Sequence, residues 1–435
     1  MKIRMHEGVY RLSGRMIPAR IKQVRMITVE KCKWKYGKQA PVVIMMDDLC
    51  NKYMIQEDGA PGFGNDWGGY CKKEYSWYRF VNDHIFNDFP YARMTCFLVT
   101  GRREDLIKGE RANRNISLRI DETDEFRDFL TYLSSDEHFE MAYHGYTHGR
   151  CSDSGRADGF VQEWRAFKDL DEAVKSIHAG ISLYHDVTGH RFSGGKFCGY
   201  ASNAFSLESI TESGFEYWCC NENYADLNGG QDIGFIEDMV DFPSTIDGHL
   251  FSLRLVHHVF GKEYLRALYY LIRKHTTLEG RLKTLINNGQ VISIQSHTSP
   301  IREDNMRQFP NVVDDIDNIR YILSFLKKYD LWYATCAEIS SYYRSYMGVD
   351  VSSERRRITV IPKMERCIDN IWIRIEGIDK DKKWILVGDN GERIGLEASD
   401  NGFLCSLPPQ RSGYCIMEYS DSCNGLYSPV IIRRN

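Results

Sequence analysis

Residues 41–48 read PVVIMMDD, an apolar run that ends in two adjacent aspartates, Asp47 and Asp48. An apolar run of this length is typical of a strand that is buried on both faces. Carboxylates at the end of such a strand are costly to desolvate without partners, so a functional pair is expected here. The alternative is a helix N-cap beside a solvated neighbour.

Strand-like and helix-like segments alternate outward from this run, over residues 41 to 343. RMTCFLVTG (93–101), FEMAYHG (139–145) and QVISIQSH (290–297) read as further strands, and residues 160–188 read as one amphipathic helix that Gly189 ends. Strands alternating with helices predict a parallel sheet, open or closed into a barrel. In such sheets the reactive residues lie where the strands end.

The pattern changes after about Gly348, where short strand candidates are separated by turn sequences. This region predicts a small all-β domain, sandwich-like, of roughly 80 residues. We therefore expect three parts: a strand-like segment over 1–40 packed on the barrel, a catalytic domain over 41–348 and a β-sandwich domain over 349–435.

Composition excludes some classes of partner. The chain has 435 residues and a net charge of -4, so no overall positive field attracts nucleic acid. No uncharged apolar stretch is long enough to span a bilayer. The 13 cysteines form no CxxC pair and the N-terminus lacks an apolar signal-peptide run, which favours the cytoplasm. The oligomeric state stays open.

The segment His144-Gly-Tyr-Thr-His148 places two imidazoles four positions apart. Gly145 and the β-branched Thr147 favour a loop over a helix. An isolated pair of this spacing also occurs as ordinary surface histidines. Together with one carboxylate of the Asp47-Asp48 pair, however, the two imidazoles leave positions for water and substrate, as catalytic metal sites require. We expect one divalent metal, zinc first, with cobalt, nickel or iron as alternatives.

His297 is the third histidine that follows a predicted strand. A histidine with a pKa near neutrality can protonate a departing amine or alkoxide. One carboxylate of the Asp47-Asp48 pair can then bind the cation while the other stays free as a base, kept ionised by nearby positive charge.

These motifs, in this order, resemble the first, second and fifth motifs of the polysaccharide deacetylase family, which comprises carbohydrate esterase family four and its relatives. The resemblance covers residues 40 to 345, and DLWYATCAEISSYY (330–343) is similar to the family's closing strand and helix. It implies an α/β fold, a distorted (β/α) barrel with fewer than eight repeats, here followed by the β domain. It implies hydrolysis of an acyl group on a sugar, with Asp47 as general base, Asp48, His144 and His148 as metal ligands, and His297 as general acid.

Two further motifs match the family less closely. GHRFSGGKFCGY (189–200) offers Arg191 to hold the base carboxylate, but lacks the family's proline and tyrosine in their usual places. Lys196 in the same segment is a candidate contact for an acidic substrate. Asp241, with Asp247 close behind, is the candidate support for His297. Candidate substrate contacts in the predicted loops are Trp67, Tyr70 and Asn223.

The resulting functional hypothesis is removal of an N-acyl group, acetyl or formyl, from a sugar or a surface-polysaccharide precursor. One alternative is an amidase or deformylase acting on a small non-polymeric amide. Another is a non-catalytic carbohydrate-binding protein, with Trp372 or Trp384 of the C-terminal domain as sugar contacts.

Overall fold

A computed structural model describes residues 26–51, 76–102, 117–151, 160–221, 232–246, 278–298 and 309–419. The first part of the chain alternates strands with helices. Its strands are β1 (Thr28–Lys31), β2 (Pro41–Leu49), β3 (Met94–Leu98), β4 (Phe139–Tyr143), β5 (Gly149–Cys151), β6 (Phe160–Gln162), β7 (Gly194–Lys196), β8 (Tyr217–Cys219), β9 (Gly234–Ile236), β10 (Met239–Asp241), β11 (Ile292–His297) and β12 (Trp332–Tyr333).

The helices of this part flank the sheet, and the C-terminal part is built of strands. The helices are α1 (Trp77–Val81), α2 (Asp124–Ser135), α3 (Glu163–Ala166), α4 (Leu170–Thr188), α5 (Ser206–Glu212), α6 (Leu278–Asn287), α7 (Ile316–Leu326) and α8 (Cys336–Gly348). The later strands are β13 (Val349–Glu354), β14 (Arg357–Pro362), β15 (Ile371–Glu376), β16 (Trp384–Gly388), β17 (Arg393–Gly395), β18 (Glu397–Ser399), β19 (Gly402–Leu407) and β20 (Ser412–Glu418).

The main sheet is formed mostly by parallel pairs. Its strand order is β11-β2-β3-β4-β7-β8-β10-β9, with β12 also paired to β2. Among the described residues, the pair of β10 with β9 is antiparallel and the other pairs along this path are parallel. An isolated parallel bridge joins Ile246, which follows β10, to Ile294 of β11. The predicted α/β class is confirmed, and the arrangement is compatible with a distorted barrel.

Strand β2 is buried along its whole length because both of its faces are covered. Ile44 and Met46 belong to the core cluster that α2, α4, α6 and α7 share with the sheet. Val43 and Met45 point to the other face, into a cluster with Tyr342 of α8. Side chains alternate across a strand, so a strand covered on both faces needs the continuous apolar run seen at residues 41–46.

The prediction of a single helix over residues 160–188 was wrong in its first part. Residues 160–162 form β6, which pairs antiparallel with β5 directly after the His148 loop. The long helix α4 begins only after Asp169, whose side chain accepts a hydrogen bond from Glu172 N at 2.8 Å. Gly189 ends it with a φ of 76°. The spacing of apolar residues could not reveal that the helix begins later, because residues 160–162 are held as a strand by their pairing with β5.

The C-terminal strands form two antiparallel sheets, ordered β1-β15-β19-β18 and β13-β14-β20-β16-β17. Side chains of both sheets share one core, as in a sandwich. The N-terminal strand β1 pairs with β15, so residues 28–31 lie in a C-terminal sheet. Trp372 and Trp384 are each only 5% exposed. Neither tryptophan therefore presents an open ring face on which a sugar could stack, which argues against the alternative in which they contact a sugar.

None of the described helices has both the length and the apolar character needed to cross a bilayer.

Glu140 links β4 to the start of α8. Its carboxylate accepts hydrogen bonds from Thr95 Oγ1 at 2.8 Å, Tyr217 OH at 2.7 Å and Ala337 N at 3.0 Å. The last bond satisfies an N–H in the first turn of α8, where negative charge is favoured. Burial raises the pKa of Glu140 to about 7, although these hydrogen bonds act in the opposite direction.

We expect Glu140 to make stability depend on pH. Its folded-state pKa of about 7 exceeds the ordinary value of 4.5, so the folded chain binds a proton that the unfolded chain has released. The free energy of unfolding should therefore fall by about 3 kcal/mol as pH rises through this interval. Glu140→Gln should flatten this slope, because a carboxamide does not titrate. Its oxygen can still accept from Thr95 and Ala337 while its NH2 faces the Tyr217 hydroxyl. Urea unfolding between pH 4.5 and 8 measures the slope of the free energy of unfolding. An unchanged slope in Glu140→Gln would assign the pH dependence to other groups.

Candidate metal centre and active site

A β-bulge at the end of β2 brings both aspartates to one site. The register between β2 and β3 shifts by one residue between Met46 and Leu49, and Asp48 has a φ of 72°. Adjacent residues of a regular strand point to opposite faces, whereas a bulge redirects one of them. Both carboxylates consequently face one imidazole: His144 Nε2 is 4.0 Å from Asp47 Oδ2 and 3.7 Å from Asp48 Oδ1.

The loop after β4 carries the two histidines of the 144–148 segment. Its first residue is held by the neighbouring strand, because His144 N donates to Leu98 O at 2.9 Å. The loop then turns through Gly145, at a φ of 90°, to His148, at a φ of 65°. This turn brings His148 Nε2 to 3.1 Å from Asp48 Oδ1. The predicted loop therefore delivers both imidazoles to the aspartate pair.

The hydrogen bonds of His144 set its tautomer. His144 Nδ1 lies 3.0 Å from Lys196 O, and a carbonyl oxygen only accepts, so Nδ1 carries the proton. The lone pair of Nε2 then faces Asp48, which is the orientation that a metal ligand needs. Burial lowers the pKa of His144, against the opposing effect of Asp47 and Asp48. The imidazole is therefore held in the neutral form that binds metals.

Asp48, His144 and His148 fit a divalent metal by donor type and spacing. Their side chains are at most 2% exposed, and Asp48 Oδ1 lies 3.1 and 3.7 Å from the two imidazole nitrogens. Ligand bonds of about 2.0–2.2 Å in a tetrahedron place neighbouring donors about 3.3–3.6 Å apart. Cys198 lies beside them: ligand atoms of His144, His148 and Cys198 are all within 4.8 Å of one another. The set suits a borderline or soft cation such as zinc or cobalt.

Asp47 is paired with a buried lysine. Lys196 Nζ lies 2.8 Å from Asp47 Oδ2 and 3.1 Å from Oδ1, and it also donates to Gln295 Oε1. Burial alone would raise the pKa of Asp47, but the positive charge of Lys196, followed by His144 and His297, outweighs it and lowers this pKa. Asp47 is therefore held as an ionised carboxylate in a buried site, the form that can accept a proton.

His297 enters the site from the strand on the other side of β2. In the parallel register His297 lies opposite Asp47, and its Nε2 is 3.8 Å from Asp47 Oδ2. Its Nδ1 donates to Pro310 O at 2.6 Å. The Nε2 atom is therefore the one that faces Asp47 and can exchange a proton there.

Three sequence assignments need correction. Arg191 is exposed and forms no ion pair with Asp47; the cation at that carboxylate is Lys196. Lys196 is 0% exposed, so it serves Asp47 rather than reaching out to an acidic substrate. Asp241 is buried beside Cys220, and its place next to His297 is taken by the Pro310 carbonyl. Candidate residues outside the described part of the chain are Trp67, Tyr70, Asn223 and Asp247.

The sequence analysis missed several residues of the site, namely Glu163, Cys198 and Gln295. Glu163 was hidden inside the stretch interpreted as a helix. Cys198 and Gln295 lie in or next to predicted strands and carry no spacing signal of their own. A signal for the role of Lys196 did exist, since a lysine between Gly195 and Phe197 in a strand-like run is unusual unless it is paired.

No protein-family model matches the sequence, and no curated protein matches it significantly. Solved structures do match at a distance. A probable polysaccharide deacetylase from Pseudomonas aeruginosa PAO1 is 13% identical, with a TM-score of 0.42, over 72% of this chain and 93% of that one. An allantoinase is 13% identical, with a TM-score of 0.40, over 72% and 92%. A family 4 acetyl xylan esterase from Clostridium thermocellum is 10% identical, with a TM-score of 0.32, over 69% and 89%.

We expect Lys196→Met to lower the free energy of unfolding by about 3–5 kcal/mol, because it leaves the buried Asp47 carboxylate without its cation. The double variant Asp47→Asn/Lys196→Met should recover part of this loss, since the unpaired charge is gone. Chemical unfolding of both variants measures the difference. Lys382→Met, which breaks an exposed pair with Glu418, is the control and should unfold like the wild type. Equal loss in the single and double variants would contradict the ion-pair interpretation.

Proposed function

We propose that this chain is a metal-dependent hydrolase that removes an N-acyl group, acetyl or formyl, from a sugar or a surface-polysaccharide precursor. One observation carries the proposal. Asp47 Oδ2 lies 4.0 Å from His144 Nε2 and 3.8 Å from His297 Nε2. A proton acceptor thus lies close both to a metal-type donor set and to a further imidazole, as a hydrolytic centre requires.

In this proposal Asp48, His144 and His148 hold one divalent metal, with zinc as first choice and cobalt, nickel or iron as alternatives. A metal bound there supplies Lewis-acid polarisation of the acyl carbonyl and lowers the pKa of water. The thiol of Cys198, which donates to His144 O at 3.0 Å, lies behind the same loop.

Asp47 acts as the general base in the proposed reaction. It accepts the proton of the attacking water, and Lys196 keeps it ionised before that step. The lysine is itself held by Gln295 on β11, two residues before His297. Base and acid are therefore positioned by the same pair of strands, β2 and β11.

His297 acts as the general acid. Its Nδ1 proton is engaged by the Pro310 carbonyl, so the transferable proton is the one on Nε2. That proton goes to the leaving nitrogen when the carbon–nitrogen bond breaks. The site is presented at the carboxyl ends of the strands of a distorted barrel over residues 41–348, and the C-terminal β domain acts as a packing partner.

Metal content tests whether Asp48, His144 and His148 hold a metal ion. We expect elemental analysis of the purified wild type to give close to one divalent metal ion per chain, because the ligand candidates are preoriented. The His144→Ala/His148→Ala variant should lose it. His178→Ala/His185→Ala, which removes two imidazoles of α4, should keep it. A wild type that stays metal-free after zinc or cobalt is added back would overturn the metal site.

Release of acetate or formate from N-acetyl and N-formyl sugars tests the proposed roles of Asp47 and His297. We expect Asp47→Asn and His297→Gln each to lower kcat by about two to four orders of magnitude, because each removes a proton-transfer group. Asp186→Asn and His185→Gln, at exposed positions of α4, are matched controls that should keep wild-type rates. Equal rates in Asp47→Asn and wild type would contradict the role of Asp47. Turnover of small non-sugar amides alone would move the substrate class to the amidase alternative.

A further inference from the structure

Glu163 is a buried carboxylate under the histidine loop, outside the proton-transfer and ligand groups described above. It begins α3 and is 2% exposed. Its Oε1 accepts from Tyr146 N at 2.9 Å, and its Oε2 accepts from Thr147 N and His148 N, each at 2.8 Å. Three successive main-chain N–H groups of the loop thus converge on one carboxylate.

This arrangement is an anion nest that a side chain of the same protein fills. Successive main-chain N–H groups that a turn points to one side create a local positive potential. In this turn Gly145 and His148, the residues on either side of Tyr146 and Thr147, have positive φ. A non-glycine residue at positive φ costs free energy, so surrounding contacts must hold His148 in place. The bonds to Glu163 supply those contacts.

The other side of the loop is anchored to β3. Thr100 N donates to Gly145 O at 3.2 Å, and Gly101 N donates to Tyr146 O at 2.7 Å. The loop carbonyls therefore bind the end of β3 while the loop N–H groups bind Glu163. The β5–β6 hairpin completes the frame, because Glu163 N donates to His148 O at 3.2 Å.

Close packing explains the glycine at position 145. A Cβ atom there would overlap Glu163 Oε2 and would lie 3.1 Å from Cys198 Sγ. The position next to the first histidine must therefore lack a side chain for the carboxylate to reach the three N–H groups. From α4, Ser176 Oγ adds a hydrogen bond to Glu163 Oε1 at 3.2 Å.

We propose that Glu163 is a positioning residue for the metal centre: it fixes the backbone of residues 146–148, and with it the direction of the His148 imidazole toward Asp48. The inference rests on the proposed function, because it assumes that His148 is a metal ligand. Partners that orient ligands contribute about 10- to 100-fold to metal affinity. Glu163 acts here through the main chain of the ligand rather than through its ring.

A carboxamide at position 163 is a sharp probe, because the described partners of Glu163 are all donors. An amide NH2 in place of either oxygen would face a main-chain N–H, so Glu163→Gln leaves at least one of them without an acceptor. Glu140→Gln is the matched control, an isosteric change of another enclosed carboxylate that is bonded at the start of α8. Its amide can satisfy all of its partners, since Tyr217 OH can accept as well as donate.

The experiment measures the dissociation constant for Zn²⁺ by competition with a chromophoric chelator, and the visible absorption of the Co²⁺-loaded proteins. We expect Glu163→Gln to bind Zn²⁺ about 10- to 100-fold more weakly than wild type and to shift the Co²⁺ bands. Glu140→Gln should match wild type in both readouts. If Glu163→Gln does not fold, Ser176→Ala, which keeps the carboxylate and removes one donor, should still weaken Zn²⁺ binding a few-fold.

Wild-type Zn²⁺ affinity in Glu163→Gln, or in Ser176→Ala if that variant is needed, would overturn the inference and leave the proposed hydrolase intact. Equal weakening in Glu163→Gln and Glu140→Gln would also overturn it, by showing a general effect of stability. A wild type that binds Zn²⁺ with the expected dependence on Glu163 but releases no acyl group would instead count against the hydrolase alone.

Discussion

One extra residue at the end of β2 is the constraint on which the site depends. The bulge between Met46 and Leu49 lets two adjacent carboxylates face the same site, where a regular strand would have pointed them to opposite faces of the sheet. Asp48 then faces both imidazoles of the histidine loop, and Asp47 faces the lysine of β7 and the histidine of β11. Without the bulge, the proposed metal ligands and the proposed base could not share one site.

Asp47, Asp48 and Glu163 are buried carboxylates close to one another. Each must replace the hydration that it loses on burial, and each does so with a different kind of partner. Asp47 has the ammonium group of Lys196, which is why its pKa is lowered although burial acts the other way. Asp48 faces the imidazoles of His144 and His148, a combination that suits a divalent cation. Glu163 has three main-chain N–H groups. The differing compensation matches the differing proposed tasks of base, ligand and scaffold.

Pairing of β11, β2, β3 and β4 in one parallel sheet converts residues far apart in the chain into neighbours. The register places His297 beside Asp47, and Leu98 of β3 holds His144 through its carbonyl. The same pairing leaves Glu140 near the opposite ends of these strands, where it binds the start of α8. The proposed chemistry and the anchoring of α8 therefore lie at opposite ends of one sheet, which is why Glu140 can serve as a control for Glu163.

The sequence by itself predicted the strand ends around the site and the residue types on which the proposed chemistry depends. An apolar run closed by Asp47-Asp48, the 144–148 segment and the strand ending in His297 were sufficient to predict an α/β fold and a metal site, because periodicity and ligand type are local properties. Only the tertiary structure decided which residues become the partners of Asp47, His297 and the histidine loop. Lys196 rather than Arg191 meets Asp47, the Pro310 carbonyl rather than Asp241 meets His297, and Glu163 reaches the loop through a hairpin that apolar spacing hid. Such choices depend on strand register and backbone handedness, which pairing between distant segments sets.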